Sequence, residues 1–325
     1  MPEIALAVEK AKGLVVKNTG SAYIVRLYGD GNEIPCRVKG NFRIKGLRTT
    51  NPVAVGDRVE VTLTGFDADY ISAVEPRRNY IIRRASNLSK ESHILAANID
   101  CAMLVATLID PMVTTTFIDR FLATAEAYNV QAELVLNKSD LWDGDLKELA
   151  DGMKYLYETI GYPVMFASTV TGEGIESIRE RCAGKVTLLA GNSGVGKSSL
   201  INTLVPGANL KTAKISDLHR TGQHTTTFSE MIPLPGGGEL IDVPGVKGFG
   251  TLDFAVSEVS HFFPEIFRAG ARCRYSDCRH TGEPGCAVAE ELAKHLISQS
   301  RYASYLSVLD EAEGVDGAEK YRKPF

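Results

Sequence analysis

Short apolar stretches alternate with turn signals through the first 75 residues. Gly13-Leu-Val-Val-Lys17, Ser21-Ala-Tyr-Ile-Val-Arg-Leu27, Ile34-Pro-Cys-Arg-Val38 and Asp57-Arg-Val-Glu-Val-Thr-Leu63 read as strands, punctuated by Gly29-Asp-Gly-Asn and Val55-Gly-Asp57. About five short strands at this spacing predict a small closed β-barrel; an OB-fold fits, and so does another small barrel such as an SH3-like one. Residues 76–92 read as a basic linker. From Ile99 the period changes. A strand over 99–105, a helix over 117–128, a strand over 132–136, a helix over 145–160, a strand over 163–167 and a helix over 173–182 alternate as in a doubly wound α/β sheet. After Gly250 the pattern is helical, over 257–268, 287–298 and 301–312. The chain therefore divides into a barrel (1–75), a linker (76–92), an α/β domain (93–250) and a mostly helical domain (251–325).

Two motifs put chemistry on the α/β sheet. The buried-strand pattern Lys185-Val-Thr-Leu-Leu-Ala190 runs into Gly191-Asn192-Ser193-Gly194-Val195-Gly196-Lys197-Ser198, then into an amphipathic helix from Ser199 to Leu204. G-x-x-x-x-G-K-[ST] between a strand and a helix rings phosphates with backbone N–H groups, and the helix dipole favours the same anion. The spacing assigns Lys197 to the β- and γ-phosphates and Ser198 to Mg²⁺. The second motif, Asn137-Lys138-Ser139-Asp140, follows the strand Ala132-Glu-Leu-Val-Leu136. The Asp140 carboxylate can accept from guanine N1–H and the exocyclic amine. Adenine turns a lone pair towards it, so ATP is rejected. Asn137 would brace the loop and Lys138 would lie along the base plane. By position, Ala167-Ser168 fits the loop that backs the guanine. The guanine reader lies about fifty residues before the phosphate loop, the reverse of the usual order, so this P-loop GTPase domain is circularly permuted.

The remaining pieces follow from that order. Glu239-Leu-Ile-Asp242-Val-Pro-Gly245 is a strand ending in D-x-x-G, with Asp242 holding Mg²⁺ through water and the Gly245 N–H sensing the γ-phosphate. His224-Thr225-Thr226-Thr227 lies between; Thr226, or else Thr225, completes the magnesium shell. The residue after D-x-x-G is Val246, where many GTPases carry a water-orienting glutamine. Slow intrinsic hydrolysis is expected, with His224 as the candidate to position water once a partner orders its loop.

Cys273, Cys278, His280 and Cys286 offer three thiolates and an imidazole within fourteen residues. Four protein ligands suit one closed, structural Zn²⁺ site. Met1-Pro-Glu-Ile is followed by no long apolar core, so a reducing cytoplasmic setting is expected, which disfavours disulfides. The longest apolar run, near Cys101 to Ile109, is too short to span a bilayer.

A net charge of −4 over 325 residues argues against a general nucleic-acid binder, but its distribution does not. Residues 35–48 carry Arg37, Lys39, Arg43, Lys45 and Arg48 without an acid. Residues 76–90 carry Arg77, Arg78, Arg83, Arg84 and Lys90, again without one. Arg37, Lys39, Arg43, Lys45, Arg48, Arg83 and Arg84 are the candidate RNA contacts.

With these motifs in this order, the chain resembles the ribosome small-subunit-dependent GTPase A family (RsgA, also called YjeQ or EngC) over essentially its whole length. Val55-Gly-Asp-Arg-Val59, Asp119-Arg-Phe-Leu122, Asn137 to Asp140, Gly191 to Ser198, Gly222-Gln-His-Thr-Thr-Thr227, Asp242-Val-Pro-Gly245 and Glu283-Pro-Gly-Cys-Ala-Val288 carry the likeness. Residue 243 is Val where Thr or Ser is common in such relatives. The resemblance implies an N-terminal OB-fold, a permuted GTPase and a C-terminal zinc domain. It further implies a late-stage maturation factor of the 30S subunit and its 16S rRNA, acting on GTP and stimulated by the subunit; a monomer, slow alone, is expected. The alternatives are a GTPase with a non-ribosomal client and a GTP-regulated RNA-binding module.

Overall fold

The computed structural model describes residues 9–20, 22–38, 52–64, 69–84, 92–210, 229–243 and 254–320, the side chains of 83, 84, 92, 93 and 315–320 excepted. The N-terminal strands are β1 (Glu9–Asn18), β2 (Tyr23–Leu27), β3 (Glu33–Val38), β4 (Arg58–Leu63) and β5 (Asp69–Val74). They pair in the order β1-β2-β3-β5-β4, and β1 also pairs with β4, which closes the barrel. The β3–β5 pairing is parallel and the others antiparallel. This closed Greek key is the OB-fold, which decides between the two barrels that the pattern allowed. Alternate residues point inward, and Val15, Val25, Cys36, Val61 and Ile71 are fully buried. Burial, helped by Asp69, pushes the Cys36 thiol up to about 12, so this cysteine acts as an apolar filler.

The stretch read as a basic linker carries a strand, β6 (Tyr80–Arg84), paired antiparallel with β7 (Ser92–Ala97). Arg77 is not a free surface cation. Its guanidinium grips the buried Asp57 carboxylate through Nε and Nη2, both at 2.7 Å, and Nη2 also donates to the Pro52 carbonyl at 2.8 Å. Arg78 pairs with Asp100.

The α/β sheet comprises β8 (Cys101–Ala106), β9 (Gln131–Asn137), β10 (Val164–Ala167), β11 (Val186–Ala190), β12 (Glu230–Pro233) and β13 (Glu239–Asp242), in the order β10-β9-β8-β11-β13-β12. All pairs are parallel except β12–β13. Around it lie α1 (Thr115–Ala127), α2 (Gly144–Ile160), α3 (Ile175–Cys182) and α4 (Lys197–Leu204). Every residue of β8 is buried, which accounts for its unbroken apolar run. The phosphate-loop strand β11 is the fourth of this sheet in chain order yet sits between β8 and β13. That is circular permutation written in strand order.

β12 continues the sheet into the barrel by pairing Lys17 with Glu230. It was not expected from the sequence, because four residues ending in Pro233 give too short a pattern to register.

In the C-terminal domain, the helix expected over 257–268 is broken. A 3₁₀ turn, Val259–Phe262, precedes α5 (Pro264–Gly270), and Phe263 between them is extended. Pro264 lacks an N–H and disfavours helical backbone at the residue before it, so the helix restarts with proline at its first position. α6 (Ala287–Ala293) stops short of Ser298, and α7 runs over Gln299–Lys320, beyond the expected 312. The core of this domain joins Phe263, Ile266, Val288, Tyr305, Val308 and Leu309 to Ile82 and Ile94 of the hairpin and Ala123 of α1. Among the described residues, no helix is long and apolar enough to cross a membrane.

Candidate functional site

β11 delivers Gly191 at its carboxyl end, and Asn192, Ser193, Gly194 and Val195 form the loop to α4, whose first turn holds Lys197, Ser198 and Ser199. Gly196, with φ +94°, caps the helix; a Cβ there would stand 2.5 Å from Asn137 Nδ2. Only glycine fits both the left-handed backbone and the close approach. That approach is useful, because Asn137 Nδ2 donates to the Val195 carbonyl at 2.8 Å. The tetrapeptide Asn137 to Asp140, at the carboxyl end of β9, is thus tied to the loop that precedes α4.

Lys138 adopts φ +65°, which turns the chain sharply, and its ammonium donates to the Asp110 carbonyl. Ser139 Oγ donates to Glu173 Oε2 at 2.6 Å. Asp140 Oδ1 accepts from Ser168 Oγ at 2.5 Å, and that oxygen in turn accepts from the backbone N–H groups of Val170 and Thr171, both at 3.1 Å. Ser168 is fully buried while Asp140 is exposed, so a buried hydroxyl aims an open carboxylate. Beneath the loop, Trp142 packs edge-on to Phe166 at 5.0 Å.

On the other side of the phosphate loop, Asp242 ends β13 opposite Leu189 of β11 and is 3 % exposed. Burial raises its carboxyl above the usual range, Lys197 opposes this, and Glu230 adds to it. Burial lowers the Lys197 ammonium, and Asp242 pulls the other way. Each charge therefore depends on the other in a site short of water. Glu230, across the ladder from Asp242, is a neighbour that the sequence reading missed. So is Glu173, in the Gly172-Glu-Gly174 turn after Ser168, where a glycine-flanked acid was the available signal.

The second cluster lies in the C-terminal domain. The ligand atoms of Cys273, Cys278, His280 and Cys286 all fall within 4.8 Å of one another. His280 Nδ1 is 3.6 Å from the Sγ of both Cys273 and Cys286, and those sulfurs are 4.0 Å apart. A tetrahedral Zn²⁺ with bonds of about 2.3 Å to sulfur and 2.0 Å to nitrogen needs edges of roughly 3.5–3.8 Å, close to those among Cys273, His280 and Cys286, so the four residues are consistent with one such ion. The loop is fixed from outside: Tyr302 donates to the His280 carbonyl at 2.6 Å and Tyr305 to that of Arg279 at 2.8 Å. Glu283 accepts from the N–H groups of Arg279 and Thr281. The other cysteines, Cys36, Cys101 and Cys182, are buried and apart from this cluster.

Residues 74–252 match the model of the RsgA GTPase, and residues 12–71 that of the RsgA N-terminal domain. The chain belongs to the RsgA GTPase family. It is a GTPase. It is 57 % identical over 302 residues to the small ribosomal subunit biogenesis GTPase RsgA of Bacteroides fragilis, covering 93 % of this chain and 97 % of that one. It is 56 % identical to the protein of the same name from Porphyromonas gingivalis, covering 96 % of this chain and 99 % of that one. Among solved structures, YjeQ from Thermotoga maritima superposes with a TM-score of 0.72 at 33 % identity, covering 94 % and 99 % of the two chains. YloQ, described as a circularly permuted GTPase, gives 0.66 at 25 % identity over 98 % and 97 %.

Of the remaining residues with an expected role in this RsgA-family chain, Arg37 is exposed on β3. His224, Thr225, Thr226, Gly245, Lys39, Arg43, Lys45 and Arg48 lie outside the described residues, as do the side chains of Arg83 and Arg84. Val243, the residue after Asp242, is fully buried.

Proposed function

We propose that the protein hydrolyses GTP to GDP and phosphate as a late-stage maturation factor of the small (30S) ribosomal subunit, slow alone and stimulated by the subunit with its 16S rRNA. The bond from Asn137 to the Val195 carbonyl carries this reading, because it unites a guanine reader and a phosphate loop that the sequence presents in reverse order. The likeness to small ribosomal subunit biogenesis GTPases over nearly the whole chain supplies the client.

Asp140, aimed by Ser168, reads the guanine edge, and Lys138 lies along the base plane. The backbone from Gly191 to Ser199 surrounds the phosphates, and Lys197 neutralises the β- and γ-phosphates. Mg²⁺, when bound with GTP, spreads the phosphate charge that builds during transfer to water. Ser198, Thr226 and Asp242 would hold it, and the Gly245 N–H would sense the γ-phosphate. His224 positions the attacking water in place of the glutamine that Val246 replaces. Cys273, Cys278, His280 and Cys286 hold one Zn²⁺ with no open position, so that metal is structural. Arg37, with Lys39, Arg43, Lys45, Arg48, Arg83 and Arg84, contacts RNA phosphates. The protein works in the cytoplasm as a monomer.

The test is steady-state GTP and ATP hydrolysis with and without purified 30S subunits. Stimulation of GTP turnover alone is expected. Slow GTP turnover unchanged by subunits would remove the ribosome as activator.

A further inference from the structure

The barrel and the nucleotide site meet in one row of charges. β1, β12 and β13 are adjacent, and Lys17, Glu230 and Asp242 are direct cross-strand partners in that order. Side chains directly opposite one another in an antiparallel ladder stand on the same face, with Cβ atoms about 4.5–5.5 Å apart. Lys17 Nζ is 2.8 Å from Glu230 Oε1. The backbone joint is fixed beside it, since the Asn18 N–H donates to the Ser229 carbonyl at 3.0 Å. At the other end of β13, Arg26 of β2 pairs with Glu239 at 2.5 Å. The barrel thus holds the β12–β13 hairpin at both ends.

Two carboxylates side by side repel, and among the described residues Lys197 is what compensates the buried Asp242. Lys17 comes from a different domain and is placed to cancel Glu230.

We propose that Lys17 and Glu230 are positioning residues that set the charge beside Asp242, so that the barrel tunes how tightly the nucleotide site holds Mg²⁺. This rests on the reading of Asp242 as the carboxylate on the magnesium side. With the pair intact, the row adds no net charge next to Asp242. Without Lys17, Glu230 adds a negative charge there and the cation is held more tightly. Without Glu230, Lys17 adds a positive one and the cation is held less tightly. Moving the barrel off β12 would act like removing Lys17, which makes the barrel's placement a term in the metal affinity.

The side chains of Lys17 and Glu230 are 39 % and 40 % exposed, so solvent screens the pair. It contributes little to stability, and the variants should fold. The same screening limits the effect on Mg²⁺ to about two- to fivefold.

The experiment titrates Mg²⁺ against retention of a fluorescent GDP analogue by the full chain, with thermal melting of each variant as a check on folding. Lys17→Met should lower the half-saturating Mg²⁺ concentration and Glu230→Gln should raise it, each by about two- to fivefold. The double variant should return to the wild-type value, and Lys17→Arg should match wild type. A purely structural role predicts shifts of one sign that accumulate in the double variant, and that result overturns the proposal. Asp242→Asn separates the two readings. If it changes the Mg²⁺ dependence while the Lys17 and Glu230 variants do not, the coupling is wrong and the site reading stands. If Asp242→Asn also has no effect, the magnesium-side reading fails and the proposal falls with it.

Discussion

Arg301 Nη1 of α7 lies 2.9 Å from Asp119 Oδ1 of α1, and both side chains are fully buried. The same guanidinium takes Glu265 of α5 through Nε at 2.6 Å and Nη2 at 3.0 Å, and Tyr157 of α2 donates to Asp119 at 2.8 Å. Burial pushes the Asp119 carboxyl up, with Arg301 opposing. Burial also works against the guanidinium, but Asp119 and Glu265 more than offset it. The C-terminal domain is therefore bound to the GTPase domain through charges that have no water to fall back on.

Arg301→Met should cost about 3–5 kcal/mol, because it strands two acids in the interface. Urea denaturation would measure this. Pairing it with Asp119→Leu should recover part of the loss, since the two residues share one network. Strict additivity in that double variant would mean that the two are not coupled.

Base selectivity gives a second expectation. Asp140 is held by Ser168, itself held by two backbone N–H groups. Asp140→Asn should weaken GTP binding on the order of 100-fold, because a donor then faces the exocyclic amine of guanine. The same amide can donate to the C2 carbonyl of xanthine, so xanthosine triphosphate should gain relative to GTP. Ser168→Ala should weaken GTP by roughly tenfold, the loss of one charge-assisted hydrogen bond that orients the carboxylate. Nucleotide titrations against both bases read out each case.

Gly56 lies where the barrel meets the hairpin. Its φ is +92°, and a Cβ there would stand 2.1 Å from the Ala97 carbonyl oxygen. The Ala97 N–H donates to Val55, and Asn98 Nδ2 donates to the Gly56 carbonyl at 2.9 Å. Gly56→Ala therefore strains both backbone and joint, and should cost about 2–4 kcal/mol. Thermal melting with limited proteolysis would show whether the barrel loosens first, as expected, or the whole chain melts together.

The parts of this molecule legible in sequence are those with local chemistry. Gly196-Lys197, Asn137 to Asp140 and the Cys273–Cys286 cluster announce themselves by spacing, and the barrel by its alternation and turns. What stayed hidden depends on partners distant in the chain. β12 is too short to show a period, and Glu230 gains its importance only by facing Asp242 and Lys17. Arg77 reads as one more cation in a basic run, yet it is spent on Asp57 inside the fold. The break at Phe263 was readable, because a proline after it forbids the continuous helix that its apolar period suggests.

The metal cluster gives the last expectation. Cys286 is buried in the C-terminal core beside Val288 and Leu292, and the backbone N–H of Ala287 donates to Cys273 Sγ at 3.3 Å. His280 is 3 % exposed, with Gly270 Cα side against its ring so that a Cβ there would stand 3.1 Å from Cε1 and Nε2. The ligands are thus part of the packing that holds α5, α6 and α7 together. One equivalent of zinc per chain is expected by elemental analysis. A strong chelator, or Cys286→Ser, should unfold this domain and expose the interface at Arg301, while the barrel and GTPase sheet keep their strands. Metal binding is folding energy at a site that the apo chain cannot preform, so melting should fall by more than the loss of one packing contact explains. Circular dichroism before and after chelation, with zinc restored in a final step, measures this. A domain that stays folded and fully resistant to protease without metal would show that the four ligands add nothing to its stability.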